Sequence, residues 1–472
     1  MIADERLDWM PGHRIGELVR GGDVSAREVT ESFLRRVEAI EPQINSFITV
    51  SAEFARSRAD DIDARPPAGR GPLSGVPFSA KDNVCTKGVR TTMASRLFEF
   101  YQPADDAPVI SRLADAGGVL LGKANLPEFS MWARSRNLLL DECRNPWDVR
   151  RTCGGSSGGS GAAVAAGLVP ISIGTDDGGS VRLPAALNGV FGLFPSPEVV
   201  PMEGVVVGGS VSAVGPLTRD VKDAALFLEA MNPGKLFASE LDSGIAGLRM
   251  AWTADVEDVA HNDARVVACA RAAAFALAQA GAVVEESGLV LVDSMGAAPQ
   301  SPFPDLPSYG GLRPYDLPET HAIIAQPGWE KQLAPNARPG GISGDQPIPS
   351  SPEAEDRRRR VAAQIHDALE RWDVLLTPTI DQVAPLIPDD WSYPYAPLEA
   401  GPGEAIRQYV KYTMRVNLAG GCAASIPCGF VDGMPVALQV IGRRGGEMTV
   451  LRVARALEQI MPWADKRPAL AG

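Results

Sequence analysis

Histidine is scarce. The 472-residue chain holds only His13, His261, His321 and His366, none of them close in sequence to its serine-rich stretch. A Ser-His-Asp relay therefore has no evident base. Cysteine is scarce too: Cys85, Cys143, Cys153, Cys269, Cys422 and Cys428 fall without Cys-x-x-Cys or Cys/His spacing. That pattern excludes a disulfide framework or a zinc ribbon and predicts reduced, mostly buried thiols. No apolar run approaches the ~18 residues of a membrane-spanning helix. The opening MIADERLDWM lacks the basic-then-apolar pattern of a secretory signal, so a cytoplasmic protein is expected. Positive charge is short: 45 Lys+Arg stand against 58 Asp+Glu, for a net charge of −13. An acidic surface helps solubility and argues against nucleic acid or another polyanion as partner, with solubility alone as the plainer reading; no membrane partner is expected either. What the chain does have is a hydrophobic share of 45%, enough for a sizeable core, and 48 glycines.

Those glycines concentrate in Cys153–Phe194, CGGSSGGSGAAVAAGLVPISIGTDDGGSVRLPAALNGVFGLF. Two Gly-rich turns, Gly154–Gly161 and Gly178–Gly179, flank the small apolar run Ala162–Ile173. Glycine is used where backbone takes unusual dihedrals or approaches closely. The second turn delivers Ser180 into VRLPAAL, which can open a helix. A serine at a turn-to-helix junction is surrounded by N–H groups without helical partners, and these can hold an oxyanion. With histidine missing, a lysine held neutral is the alternative base. Lys81, in GVPFSAKDNV, follows the apolar Val76, Pro77 and Phe78, so burial can lower its pKa.

The K-D-N context of Lys81, the GGSSGG around Ser156 and the GTDDGGS ending in Ser180 resemble the amidase signature family of serine hydrolases. The likeness runs from about Val24 to Glu458 and is weak in the middle. KANLPEF at Lys123–Phe129, the Gly215–Pro216 segment with Arg219, and LLTPT ending at Thr379 belong to it. The resemblance implies a Ser–cis-Ser–Lys triad: Ser180 as nucleophile, Ser156 as relay and Lys81 as base. It implies an oxyanion hole from the backbone of Asp177, Gly178, Gly179 and Ser180. Asp176 is expected to pair with Arg182 and hold the turn. Ser130, Met131 and Trp132 are expected to line a substrate pocket, and Asp82 and Asn83 to fix the loop and orient the amine. Two residues depart from the pattern: Asp177 stands where the family has a neutral residue, and Phe194 where it tends to have Lys or Arg. A carboxylate about 4 Å from a developing oxyanion costs ~4 kcal/mol at an effective dielectric near 20, so Asp177 is expected to point away.

The rest of the chain reads as scaffold. Ser25–Glu28 is a capping box opening a helix over Ala26–Ile40, which Pro42 is predicted to stop. Ala162–Leu168, Val221–Met231, Ala264–Ala280, Arg357–Trp372, Tyr409–Leu418 and Met448–Ile460 are predicted helices. Leu248–Trp252 and Val283–Glu286 bracket one of them as strands, and Asp432–Gly433 joins two more in a hairpin. An α/β fold follows. The resemblance sharpens it to one large domain, a twisted mixed sheet covered by helices on both faces. Within it lie an N-terminal helical flank (about 1–70), a signature core (about 71–232) and a Pro/Gly-rich insertion (about 294–352). Tyr309, Tyr315 and Trp329 make that insertion a candidate substrate lid, with a surface insertion as the alternative.

The function expected is hydrolysis of a carboxylic amide, with carbamates (urethanes) and esters open to the same acyl-enzyme chemistry. The substrate would be small and neutral, with an apolar or aryl group, and the protein a monomer or homodimer. No cofactor or metal is implied. Two alternatives remain: a decayed, non-catalytic binding protein, and one component of a glutamine-dependent amidotransferase.

Overall fold

Short apolar strands alternating with amphipathic helices decide the architecture. The computed structural model describes residues 7–205, 211–294, 328–335, 352–392, 394–395 and 402–471. The N-terminal part is helical: α1 (Gly12–Gly21), α2 (Ala26–Ile44) and α3 (Ala52–Asp63). The Ser25–Glu28 box opens α2 with both reciprocal hydrogen bonds made. The helix does not stop at Pro42 but runs on to Ile44. A proline in the last turn removes a single N–H bond, while Ile40 and Ile44 stay buried. Asn45, in the left-handed region, closes the helix by donating its N–H to Glu41 O.

Strands and helices then alternate: β1 (Phe47–Val50), β2 (Pro77–Lys81), α4 (Pro108–Asp115) and β3 (Val119–Ala124). A short hairpin, β4 (Arg144–Asn145) and β5 (Asp148–Thr152), precedes α5 (Gly158–Ala165), β6 (Ile171–Asp176), α6 (Arg182–Asn188), β7 (Phe191–Phe194) and β8 (Ala213–Thr218). Next come α7 (Val221–Met231), β9 (Arg249–Trp252), α8 (Ala264–Ala276), β10 (Val283–Glu286), α9 (Pro352–Arg371) and β11 (Val374–Pro378). The chain ends with α10 (Pro402–Val410), α11 (Met414–Ala419), β12 (Cys422–Val431), β13 (Met434–Gly442) and α12 (Glu447–Ile460).

Eleven strands form one mixed sheet in the order β1-β3-β2-β6-β8-β7-β12-β13-β11-β9-β10. β2 runs parallel to β3 and β6, and β9 parallel to β10 and β11; the other pairings are antiparallel. Asp432 and Gly433 turn β12 into β13 with φ of 51° and 75°, the left-handed pair that a tight hairpin needs. The parallel pairing of Phe78 with Ile171 and Ala80 with Ile173 brings the carboxyl ends of β2 and β6 side by side. Ligands of open α/β sheets bind at such ends.

Two helices differ from the sequence reading. α5 begins four residues early, inside the glycine run rather than after it. A Cβ on Gly158 would lie 2.5 Å from Cys153 Sγ, and one on Gly159 2.5 Å from Ser46 O. These glycines therefore serve close packing within a helix, not a turn. The predicted helix over Tyr409–Leu418 is broken between α10 and α11, at Lys411–Thr413. Among the described residues no helix is long and apolar enough to cross a membrane.

Candidate active site

Lys81 ends β2 and is fully buried. Its Nζ lies 2.7 Å from Ser156 Oγ and 2.8 Å from Thr175 Oγ1 on the neighbouring β6. Asn83 Nδ2 donates to the same threonine oxygen at 3.2 Å and to Ser130 Oγ at 3.3 Å. Burial pushes the Lys81 ammonium down to about 7, while the carboxylates of Asp177 and Asp176 pull the other way. Near neutral pH the amine is thus substantially uncharged and able to take a proton. Asp82, expected to orient the amine, faces elsewhere. It accepts from Thr92 N–H at 2.8 Å and Thr92 Oγ1 at 2.5 Å, and lies 3.8 Å from buried Lys123.

Ser156 is buried and follows a cis peptide bond from Gly155. Tyr409 clamps that peptide: its hydroxyl accepts from Gly155 N–H at 2.9 Å and donates to Gly155 O at 2.6 Å. Tyr395 packs on Tyr409 with ring centres 4.2 Å apart and donates to Ala133 O at 2.8 Å. A Cβ on Gly155 would lie 2.7 Å from Trp132 O, so the backbone after Ser130 presses directly on this loop. Ser157 ties the loop to the other serine. Its Oγ bonds the backbone of Thr175 at 3.1 and 3.2 Å, and its N–H donates to Ser180 O at 3.2 Å.

Ser180 is half-buried at the start of α6. Asp176 organises the turn before it. Its carboxylate accepts from Gly179 N–H at 2.7 Å and Val181 N–H at 3.1 Å, and pairs with the Arg182 guanidinium at 2.9 Å. Burial pushes this carboxyl up, but Arg182 and Asn417 together hold it below the ordinary range. Of the N–H groups expected to receive an oxyanion, that of Gly179 is thus committed to Asp176. Those of Gly178 and Ser180 have no partner among the described residues. Asp177 is half-buried, and its carboxylate is the strongest charge acting on Lys81. Phe194, the other departure, is fully buried with the Arg182 guanidinium 4.6 Å above its ring. An aromatic face thus occupies the place of a second cation.

The break between α10 and α11 grips the same turn. Thr413 Oγ1 donates to Gly178 O at 2.5 Å, and Arg182 Nη1 donates to Thr413 O at 2.9 Å. Asn417 Nδ2 reaches Asp176 Oδ1 at 3.0 Å. Gly179 has φ of 135° and lies under Thr413 and Leu183, where no side chain fits. Thr175, Tyr409, Thr413 and Asn417 were not singled out from the sequence. The last three lie more than 200 residues from their partners, and only folding brings them close.

Met131 is half-buried and Trp132 is 5% exposed. Asn125 and Glu128 are structural: Asn125 Oδ1 accepts from Leu126 N–H at 2.8 Å, and Glu128 Oε2 from Ala334 N–H at 2.6 Å. Most of the candidate lid over 294–352, with Tyr309, Tyr315 and the Trp329 side chain, lies outside the described residues.

A mixed eleven-stranded sheet that sets a buried lysine on a buried serine, with a second serine at a helix start, defines an amidase-type α/β protein. The family model for Amidase matches residues 28–245 and 344–451, and the chain belongs to the amidase signature family, whose enzymes act on amide bonds. Curated relatives include a Glutamyl-tRNA(Gln) amidotransferase subunit of Moorella thermoacetica, 34% identical over 98% of this chain and 99% of that one. Its counterpart of the same name in Halorhodospira halophila is 36% identical over 96% and 98%. Among solved structures, 6-aminohexanoate cyclic dimer hydrolase with its substrate is similar at a TM-score of 0.84 and 29% identity, covering 98% of this chain and all of that one. A bacterial aryl acylamidase matches at 0.84 and 25%, covering 99% of both chains.

Proposed function

We propose that the chain is a serine hydrolase that cleaves small, neutral amides through an acyl-enzyme on Ser180. The observation that carries this reading is the 2.7 Å contact of buried Lys81 with buried Ser156, whose neighbour Ser157 donates its N–H to Ser180 O. Neutral Lys81 takes the Ser156 hydroxyl proton as Ser156 takes that of Ser180, and Ser180 Oγ adds to the carbonyl carbon. The N–H groups of Gly178 and Ser180, together with Asp177 N–H, face the oxyanion. The C–N bond then breaks as the Lys81 proton returns through Ser156 to the leaving nitrogen. Water attacks the ester along the same path, releasing the acid and restoring Ser180. Met131 and Trp132 favour an apolar or aryl group on the substrate, and esters and carbamates fit the same cycle.

Curated relatives named as amidotransferase subunits favour a second reading, release of ammonia from glutamine for a partner protein. The higher similarity to the cyclic dimer hydrolase and the aryl acylamidase, 0.84 against 0.75 for the Thermotoga maritima amidotransferase subunit, supports independent hydrolysis. The test is turnover of p-nitroanilides, p-nitrophenyl esters, aryl carbamates and glutamine by wild type and Ser180→Ala. Arylamide turnover lost in the variant is expected. Glutamine turnover alone would favour the amidotransferase. Silence on every substrate, together with failure of a fluorophosphonate to label Ser180, would mean a non-catalytic protein.

A further inference from the structure

A second cluster of polar side chains lies where α1 meets α7, and it shares no residue with the proposed triad. His13 stands in the first turn of α1, and Asp220 and Asp223 at the start of α7. Asp223 receives the end of α1: its Oδ2 accepts from Gly12 N–H at 2.6 Å and its Oδ1 from His13 N–H at 2.7 Å. Asp220 caps α7 by accepting Asp223 N–H on Oδ1 at 2.8 Å. Its other oxygen, Oδ2, is buried and accepts no hydrogen bond among the described residues, with nine-tenths of the side chain out of solvent. A buried carboxylate oxygen without a donor is costly, and a native fold seldom keeps one without a use.

We propose that His13 Nδ1, Asp220 Oδ2 and Asp223 Oδ1 bind a divalent first-row cation of the Zn2+ or Mn2+ type. His13 Nδ1 lies 3.0 Å from Asp223 Oδ1 and 3.6 Å from Asp220 Oδ2, and the three residues can each offer one ligand atom within 4.8 Å of the others. Ligands about 2.0–2.1 Å from a tetrahedral metal stand roughly 3.3 Å apart, so the cluster needs little rearrangement to close on an ion. Two carboxylates and a neutral imidazole balance a dication, and a nitrogen–oxygen set without thiolate suits zinc or manganese. The neighbouring cations make their hydrogen bonds and ion pairs elsewhere, although the Arg219 charge still acts on Asp223 and Asp220 and that of Lys222 on His13. Arg219 donates to the Asp8 and Met10 carbonyls, Lys222 lies 3.8 Å from Glu17, and Arg455 pairs with Glu458 at 2.7 Å. The backbone donors to Asp223, and Asp223 N–H on Asp220, fix the carboxylates as outer-sphere partners do in metal sites. His13 is 21% exposed, which leaves a route for the ion and a place for water as the fourth ligand. The bound ion would staple the N-terminal helices to the core.

The test uses the full chain, stripped with chelator, dialysed, and titrated with ZnCl2 and then MnCl2 by calorimetry. His13→Ala removes one ligand. Asp220→Asn removes a second while its remaining oxygen still caps α7. One equivalent of cation bound at micromolar or tighter Kd, with a raised Tm, is expected. Each variant should bind ~10–100-fold more weakly. Melting of both stripped variants close to stripped wild type would show that the fold is intact. If His13→Ala fails to fold, His13→Gln takes its place in the titration. Absence of saturable binding in wild type, or equal binding in wild type and both variants, overturns the proposal and leaves a histidine paired with two aspartates.

Discussion

At the scale of the residue, the proposed mechanism turns on the protonation of Lys81. Its ammonium is held down to about 7, and only the neutral amine can act as base. On the proposed mechanism kcat/KM therefore rises with pH through about 7 and levels above it, and Lys81→Met loses ~10³-fold or more. The Asp177 carboxylate stabilises the charged amine. Asp177→Asn should move the midpoint of the same profile to lower pH. An unmoved midpoint would detach Asp177 from the base. Thr413 contributes one hydrogen bond to the carbonyl of Gly178. Thr413→Val is expected to lower kcat about tenfold, with KM little changed, by loosening the turn that carries Ser180. The three triad candidates were legible because each stands in a short local pattern. Asp82 fixes the loop but does not orient the amine, because adjacency in sequence to Lys81 does not decide which way a side chain turns at a strand end. It faces Thr92 instead.

At the scale of the element, α5 shows how glycine can mislead. A run of glycine and serine reads as a turn because glycine weakens a helix by ~1 kcal/mol per residue. Here the helix forms because the sheet and its loops come too close for any Cβ. Gly159→Ala should cost about 1–3 kcal/mol through overpacking against Ser46 O and Asn125 O, read as a lower urea midpoint at unchanged m. A neutral or stabilising result would return α5 to ordinary helix propensity. The break between α10 and α11 has the opposite cause. The local sequence Tyr409–Leu418 permits a continuous helix, yet Thr413 and Arg182 bond each other and the turn before Ser180, and this holds the chain out of register.

At the scale of the whole molecule, buried charge joins segments that sequence keeps apart. Arg134, 1% exposed, pairs with Glu142 at 2.8 Å and donates to the carbonyls of Pro388, Asp390 and Ser392. Arg134→Met should destabilise by ~3–5 kcal/mol, because Glu142 and those carbonyls lose their partner inside the protein. Urea unfolding monitored by tryptophan fluorescence would measure this, and a loss under ~1 kcal/mol would show that solvent replaces the arginine. The sequence alone determined the α/β class and most element boundaries to within a few residues, and it singled out Lys81, Ser156 and Ser180 as candidates. Those depend on periodicity, on turn residues and on short motifs, all of which act between near neighbours. Tertiary structure alone decided the strand order, the clamp of Tyr409 on Gly155, the grip of Thr413 and Asn417 on the serine turn, and the meeting of His13 with Asp223 across 210 residues. The reason is physical. These contacts join groups that no local rule relates, and each forms only once the buried sheet has fixed where the distant segments must lie.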